Sequence, residues 1–279
     1  MTDHPLPSRL RLGLLGAGPA GRGALPALLG TGLADLAWVA DPAHAGEALA
    51  GQTILSAAPL PLDGELIVLA VPEPALPDVI ARLAEQLARE GARERLVVQL
   101  SASSPLELLE PLRAAGACAG LLHPLQTFPP GAPPAETIPY WALGGDARLR
   151  QRLAPLMGRL ADEWFWLEPG QQLPYHLCAV LASNFLPAMM SVCGGLWPGE
   201  PAQAWRALQP IVEQTLRNLA GRAPAAAVSG PAARGDLETL ARHLDWLRRE
   251  RPDLVAMYDR LSEEILTLRG TASPSLAPA

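Results

Sequence analysis

The sequence contains no lysine, and all 22 of its basic residues are arginines. No side chain can therefore form a Schiff base, which excludes pyridoxal-phosphate chemistry and lysine-based aldol chemistry. The phosphate-loop lysine of nucleoside triphosphatases is excluded for the same reason. Any proton transfer in this protein must use other side chains.

Cysteine and positive charge are also scarce. The three cysteines, Cys118, Cys178 and Cys193, form no CxxC pair. This predicts neither a disulfide framework nor a zinc or other metal site, and we expect all three to be buried apolar residues. A net charge of -6 argues against a nucleic-acid-binding surface, which needs clustered positive charge. The expected partner is therefore a small molecule.

Long apolar runs are missing from the sequence as well. No uninterrupted apolar stretch approaches the roughly 20 residues of a membrane span. The segment from Met1 to Arg11 lacks the apolar core of a signal peptide. We therefore expect a cytoplasmic protein without a membrane partner. Its 279 residues are enough for one large domain or two ordinary ones.

Short apolar runs alternate with helical patterns through the first 168 residues. The pattern predicts helices over 20–29, 75–90 and 147–160, and a further helix that starts at Ser104-Pro105. The predicted strands are 10–15, 36–40, 66–71, 96–100, 120–122, 138–143 and 164–167. Strands and helices that alternate at these lengths favour an α/β fold, a doubly wound parallel sheet with helices on both faces.

The pattern changes after Gln171, where no strand-like alternation remains. Helices are predicted over 175–196, 201–219, 237–249 and 254–268, with Asp236 as a cap of the third. We therefore place an α/β domain at 8–168, an all-α domain at 169–270 and a disordered tail at 271–279.

A glycine-rich loop joins the first strand to the first helix, with the sequence Gly16-Ala17-Gly18-Pro19-Ala20-Gly21. Gly16 permits the tight turn, Gly18 lets the backbone approach a pyrophosphate, and Gly21 lets the helix pack close to the strand. The pyrophosphate of a dinucleotide would bind the free amides at the helix N-terminus, near Pro19 and Ala20. We therefore predict an NAD(P) site, with a tight turn that binds no ligand as the alternative.

Other predicted cofactor contacts follow the ends of later strands. Asp41 ends the second strand, where a carboxylate binds the ribose 2′-hydroxyl of NAD and repels the 2′-phosphate of NADP. Asp41 is equally consistent with a turn residue before Pro42. Val71, Pro72 and Ser101 follow two further strands at the edge where ligands bind in such sheets, and each also has an ordinary turn interpretation.

The candidate catalytic residues lie at the end of a predicted strand and on the first C-terminal helix. His123 ends a predicted strand, and His176 and Asn184 lie on the first C-terminal helix, about 80° apart around it and about 12 Å apart along it. Ser183 lies closer to the helix face of His176, and the Arg234 guanidinium suits a carboxylate. A buried structural role is the alternative for each histidine, and a surface role is the alternative for Arg234.

The motifs GAGPAG, LIVLAVPE, HPLQTF, YHLCAVLASNF and SGPAARGD together resemble one bacterial family over about residues 8–268. That family pairs a Rossmann-like domain with a helical domain of unknown function 2520, and it is similar to coenzyme-F420-dependent NADP oxidoreductases, pyrroline-5-carboxylate reductases and ketopantoate reductases. The resemblance implies an NAD(P)-dependent oxidoreductase, with a preference for NADP, that forms a dimer through the helical domain.

The predicted helix that begins at Tyr175 can be compared with the equivalent helix of ketopantoate reductases. Their helix carries a catalytic lysine, an asparagine four residues later and a second asparagine four beyond that. The corresponding residues here are His176, Val180 and Asn184, so only the last matches. We therefore expect hydride transfer to or from a C=O or C=N bond of a small carboxylate-bearing molecule. His123 or His176 would supply the proton, Asn184 and Ser183 would orient the substrate, and Arg234 would hold its carboxylate.

Two other functions remain consistent with the same residues. A non-catalytic dinucleotide sensor would keep the fold after losing the lysine and the first asparagine. A helix-mediated scaffold would bind no cofactor at all.

Overall fold

A computed structural model describes residues 9–56, 59–91, 94–134 and 137–270. The chain divides into two compact units, the first ending at Pro187 and the second beginning at Ala188. The sequence places the domain boundary at 168/169 instead. The difference arises because Tyr175 packs against buried residues of the sheet and so joins the next helix to the first unit. The predicted tail, 271–279, lies outside the described residues.

A seven-stranded sheet forms the centre of the first unit, with the strand order β2-β1-β5-β6-β7-β8-β9. A separate hairpin contains β3 and β4. The strands are β1 Leu10–Leu15, β2 Ala34–Ala40, β3 Ala48–Leu49, β4 Gln52–Thr53, β5 Leu66–Leu69, β6 Leu96–Gln99, β7 Cys118–Pro124, β8 Tyr140–Gly145 and β9 Glu163–Leu167. The middle strands β5 and β6 are buried along their whole length, as expected for a sheet covered on both faces.

One strand pair departs from the predicted parallel arrangement. β8 runs antiparallel to β7, whereas the other pairs of the seven-stranded sheet are parallel. A parallel return would need a long crossover, which is usually helical. The connection between β7 and β8 carries the proline-rich segment Pro129 to Pro134, which is unsuited to a helix. The chain therefore returns directly as an antiparallel neighbour.

Helices pack around this sheet, and the first, second and fourth of them lie close to their predicted bounds. They are α1 Pro19–Gly30, α2 Leu76–Glu90, α3 Glu110–Ala114, α4 Ala147–Leu160 and α5 Gln172–Ala182. The prediction of a helix starting at Ser104-Pro105 is wrong, because Pro105 is extended and a 3-10 turn precedes α3. Pro111 lacks the amide hydrogen that a continuous helix would need, so the segment is split into two short pieces.

The remaining helices follow in the chain. They are α6 Phe185–Leu196, α7 Pro201–Leu219, α8 Pro224–Ala227, α9 Pro231–Arg234, α10 Leu237–Glu250 and α11 Val255–Leu268. Within the second unit, Ala232, Leu240 and Leu266 form a small buried cluster. Asp236 caps α10, as predicted, because its side chain accepts a hydrogen bond from the Thr239 amide.

The predicted continuous helix over 175–196 is wrong, since Ser183 and Asn184 form a turn between α5 and α6. Pro187 cannot donate to the Ser183 carbonyl, and its ring clashes with that carbonyl in a regular helix. The segment Gln172–Leu196 is nevertheless 25 residues long and contains an 18-residue window with a mean hydropathy of 1.6, so by length and composition alone it could cross a membrane. None of that window is buried. The expectation that no uninterrupted apolar run approaches 20 residues still holds, because His176, Ser183 and Asn184 interrupt the segment.

Candidate active site

The glycine loop has the geometry that its three glycines predict. Gly16 has φ +97°, and a Cβ atom there would lie 2.4 Å from the carbonyl oxygen of Ala70. A Cβ atom at Gly21 would lie 2.2 Å from the Gly16 carbonyl oxygen. Both contacts are far too short, so the turn and the close packing of α1 require glycine at these two positions.

Gly18 differs from the other two because a Cβ atom there would meet nothing within 4 Å. The residue faces a cavity of about 680 Å³ beside the N-terminus of α1, which no side chain caps. The first amides of a helix have no partner within it and attract anions. The predicted cofactor-binding residues that line this cavity are Gly16, Gly18, Pro19, Ala20, Asp41, Val71 and Pro72. The loop therefore fits a pyrophosphate, and we call this cavity the dinucleotide cleft.

Asp41 ties the end of β2 to the glycine loop. Its Oδ2 accepts a hydrogen bond from the Ala17 amide at 2.7 Å and lies 3.0 Å from His44 Nδ1. Its Oδ1 accepts from the Ala43 amide at 2.9 Å, so Asp41 also caps the turn that follows, as the alternative interpretation predicts. Burial alone would raise the pKa of this carboxyl, but the hydrogen bonds from Ala17, His44 and Ala43 outweigh burial and lower it.

Ser101 is held by its own neighbours and does not line the dinucleotide cleft. Its hydroxyl donates to the Glu73 carboxylate at 2.7 Å and lies 2.8 Å from the Ser103 hydroxyl. Beneath it, the fully buried Gln99 donates to the carbonyls of Ser101 and Ser104. These bonds hold the loop after β6 in one conformation.

A second cavity, of about 1180 Å³, collects the predicted catalytic residues. His123, His176, Ser183 and Asn184 all line it, and we call it the histidine pocket. Cys178 lines it too and is exposed, and Cys193 is only partly buried, so the expectation that every cysteine is buried is wrong for both and confirmed for Cys118 alone. β7 supplies His123, whereas α5 and the turn after it supply the other four.

His123 pairs with a residue that sequence reasoning did not assign to the site. Its Nδ1 lies 2.6 Å from the Tyr175 hydroxyl, and the two rings meet edge to face with centroids 5.3 Å apart. The His176 ring lies 6.5 Å from that of His123, again edge to face. Tyr175 is the first residue of the motif YHLCAVLASNF, and its position beside His176 is the one sequence signal that could have drawn attention to it.

Burial shifts both partners of this pair toward their neutral forms. It lowers the pKa of His123 to about 4, and the charge of His176 adds to this effect. Burial also raises the pKa of Tyr175 well above its ordinary value. A neutral imidazole and a neutral phenol therefore share the short hydrogen bond at pH 7, and a protonated His123 is rare there.

Ser183 and Asn184 are placed by the break between α5 and α6. The Ser183 hydroxyl lies 2.7 Å from the Ala179 carbonyl oxygen and 2.8 Å from Oδ1 of Asn184, so it can donate to either. The turn replaces the predicted helical spacing of His176 and Asn184. Both residues still line one cavity, as the sequence predicts.

Phe128 lines both the dinucleotide cleft and the histidine pocket. It also borders a third cavity, of about 880 Å³, between α1 and the proline-rich loop. Its ring packs on Gly23, where a Cβ atom would lie only 2.2 Å from the ring. The two functional cavities therefore adjoin at one aromatic wall, which sequence reasoning did not identify.

Arg234, the predicted carboxylate ligand, belongs to the second unit. It ends the short helix α9 and is exposed. Among the residues that the structure describes, no group of three or more His, Cys, Asp or Glu side chains could hold a metal ion.

The comparisons with known families divide the chain in the same order as the fold. Residues 3–124 match a Rossmann-like domain, and residues 139–265 match the family described as Domain of unknown function (DUF2520). No curated protein matches the sequence.

Solved structures share the fold over nearly the whole chain. A protein from Bacteroides fragilis, provisionally assigned as an NADP oxidoreductase, has a TM-score of 0.70 at 21% identity and covers 93% of this chain and 98% of its own. Pyrroline carboxylate reductase from Plasmodium falciparum, solved with NADP bound, has a TM-score of 0.58 at 9% identity, with the same coverage. A variant imine reductase from Myxococcus stipitatus, in complex with NAD+, has a TM-score of 0.51 at 18% identity and covers 96% and 98%. At these identities the likeness establishes the fold, and the chain is a Rossmann-like protein with a C-terminal DUF2520 domain.

Proposed function

We propose that this protein is an NAD(P)-dependent oxidoreductase that transfers hydride to or from a C=O or C=N bond of a small molecule. The observation that carries the proposal is the shared wall at Phe128, which brings the dinucleotide cleft against the histidine pocket. A hydride donor and a proton donor must both reach one substrate bond, and two adjoining cavities meet that need. The similar structures include reductases solved with NADP or NAD+.

The dinucleotide would bind through the glycine loop and supply the hydride. The amides at the start of α1 would hold its pyrophosphate, and Gly18 leaves the space for it. Asp41 would lie at the adenosine ribose.

We assign proton donation in the reducing direction to the pair of Tyr175 and His123. Hydride addition to carbon leaves a basic oxygen or nitrogen, and the Tyr175 hydroxyl would transfer its proton to that atom. His123 is a positioning residue that fixes the phenol through the 2.6 Å hydrogen bond. A tyrosine with a raised pKa keeps its proton until a strongly basic atom develops beside it. His176 borders the same cavity and would return a proton to the Tyr175 oxygen after each turnover.

We assign substrate binding to Asn184. The Ser183 hydroxyl would hold the side-chain amide of Asn184 in place by donating a hydrogen bond to its Oδ1. The histidine pocket is lined within the first unit by side chains that include no arginine, aspartate or glutamate. A substrate carboxylate would pair with a cation, and Arg234 remains the residue that we propose for that role. The guanidinium offers the bidentate geometry that carboxylates prefer.

A non-catalytic dinucleotide sensor is the second candidate. The observation that favours it is Val180, which lines the histidine pocket at the position where the resemblance to ketopantoate reductases implies an asparagine. Dinucleotide binding without turnover across a panel of ketones, keto acids and imines would favour the sensor. Oxidation of a reduced dinucleotide with any member of the panel would favour the enzyme.

Thermal denaturation with NAD+, NADH, NADP+ and NADPH tests the proposal. A ligand at 100 times its dissociation constant should stabilise the protein by about 2.7 kcal/mol. The matched control is Gly18→Ala: the added Cβ meets no protein atom, so the variant should fold normally while its methyl group occupies the space for the pyrophosphate. Stabilisation of the wild type but not of Gly18→Ala supports the proposal, and no shift with any of the four forms would contradict it.

We further propose that the protein is a homodimer built through its helical region. Leu173, Leu177, Leu181 and Phe185 recur every four residues and are exposed by 69, 52, 52 and 52%. Such a stripe favours contact with another apolar surface. We expect light scattering to give twice the chain mass, and Leu177→Glu with Leu181→Glu to give a monomer. Recovery of the wild type only in a membrane or detergent fraction would contradict this proposal.

A further inference from the structure

A histidine at the end of β2 adjoins the carboxylate that would bind the ribose. His44 lies three residues after Asp41, with its Nδ1 3.0 Å from Asp41 Oδ2. Its side chain keeps 34% of its accessible surface and lines the dinucleotide cleft. No pattern in the sequence predicted a role for this histidine.

Asp41 is nearly saturated by contacts within the protein. A carboxylate has about four lone-pair sites. The amides of Ala17 and Ala43 and the imidazole of His44 occupy three of them. Both hydroxyls of a ribose therefore cannot donate to Asp41 without displacing a contact that holds the glycine loop. This weakens the expectation that Asp41 selects NAD.

The charges around the pair are nearly balanced. The Arg22 guanidinium on α1 pairs with the Glu47 carboxylate, and its Nε donates to the Ala17 carbonyl. Arg82 on α2 lines the same cleft. Arg82 therefore supplies a positive charge to the cleft that also contains the Asp41 carboxylate.

We propose that His44 contacts the 2′ substituent of the adenosine ribose and that the cleft accepts the 2′-phosphate of NADP(H). This inference rests on the proposed function. Asp41 holds Nδ1, so the remaining ring nitrogen, Nε2, is the atom that would donate to a phosphate oxygen. Hydrogen bonds to an ionised phosphate are roughly twice as strong as bonds between neutral groups. Asp41 thereby acts on the cofactor through His44, whose ring it orients.

Calorimetric titration with NADPH and NADH tests this assignment in the wild type, His44→Gln and His44→Arg. The wild type should bind NADPH more tightly than NADH. His44→Gln should weaken the affinity for NADPH about tenfold, equivalent to about 1.4 kcal/mol of binding free energy. The same variant should change the affinity for NADH by less than twofold. His44→Arg supplies a donor with a permanent positive charge and should retain the affinity for NADPH. His243→Gln, an exposed histidine of the second unit, is the matched control and should change neither.

Adenosine 2′,5′-bisphosphate and 5′-AMP isolate the same end of the cofactor. The bisphosphate should lose affinity for His44→Gln, whereas 5′-AMP should not. Equal weakening of both probes, or a wild type that prefers NADH, would overturn the assignment and leave the proposed function standing. A wild type that binds none of these molecules would overturn both.

Discussion

Two histidine–tyrosine pairs within the described residues have nearly the same local geometry. In both, Nδ1 lies 2.6 Å from the tyrosine hydroxyl, and the rings meet edge to face. His123 and Tyr175 lie 52 residues apart and join β7 to α5, whereas His243 and Tyr258 lie 15 residues apart on α10 and α11. His123 is half-buried at the edge of a large cavity, while His243 is exposed.

The comparison shows that the surroundings, and not the hydrogen bond, distinguish a candidate site from a surface contact. Burial and the neighbouring His176 lower the pKa of His123 to about 4. Burial also raises the pKa of Tyr258, but the histidine beside it is exposed and lies outside the histidine pocket. Perturbed groups within a cleft are typical of functional sites. The first pair therefore carries the proposed chemistry, and the second serves as an internal control.

The largest expected difference between the pairs is in turnover. Tyr175→Phe removes the proposed proton donor and keeps the ring, so we expect kcat to fall at least about 100-fold, the low end of a general-acid contribution. The dissociation constant of the dinucleotide should stay within twofold, because Tyr175 does not line the dinucleotide cleft. Steady-state kinetics with a substrate identified from the panel gives the first value, and calorimetry gives the second.

Tyr258→Phe is the matched control and should retain wild-type kcat. Turnover by Tyr175→Phe at the wild-type rate would remove Tyr175 from the mechanism and return the role to His123 or His176. A hundredfold loss in His176→Ala with a normal Tyr175→Phe would support His176 as the donor.

The next difference concerns stability against pH. His123 has a pKa of about 4 in the folded protein, whereas an unfolded histidine has about 6.5. Between these values the unfolded chain binds the extra proton, so the free energy of unfolding should decrease as the pH falls from about 6.5 to 4. Urea denaturation at several pH values measures this slope. His123→Gln should flatten it and His243→Gln should not; equal slopes in both variants would contradict the buried state of His123.

Much of the fold could be predicted because its signals are local. The bounds of α4 and α7 are those the sequence predicts, and the cap of α4 comes from Asp146, directly before the helix. The break between α5 and α6 was missed, although Pro187 lies just beyond it. Proline alone does not decide such a break, since α4 and α7 both continue through an internal proline. The side chains of the turn at Ser183 and Asn184 contribute further hydrogen bonds there.

The candidate site was predicted where one segment builds it and missed where distant segments meet. The glycine loop is contiguous, so the spacing of its glycines predicts its geometry. Tyr175 meets His123 only because α5 packs against the sheet, and no pattern within 175–185 specifies that contact. Asp41 was recognised by its place at a strand end, but its three internal hydrogen bonds depend on the fold of the loop and the turn beside it.

The smallest expected effect is the stability cost of breaking each pair. Tyr258→Phe leaves an exposed imidazole that water can reach, so the free energy of unfolding should fall by about 1 kcal/mol or less. Tyr175→Phe leaves the half-buried His123 without a partner, and an unsatisfied buried group costs about 1–3 kcal/mol. Urea denaturation of the two variants at pH 7.5 compares the two costs directly. Equal costs would mean that solvent reaches both pairs alike, and the distinction between the candidate site and the surface pair would then have to rest on turnover alone.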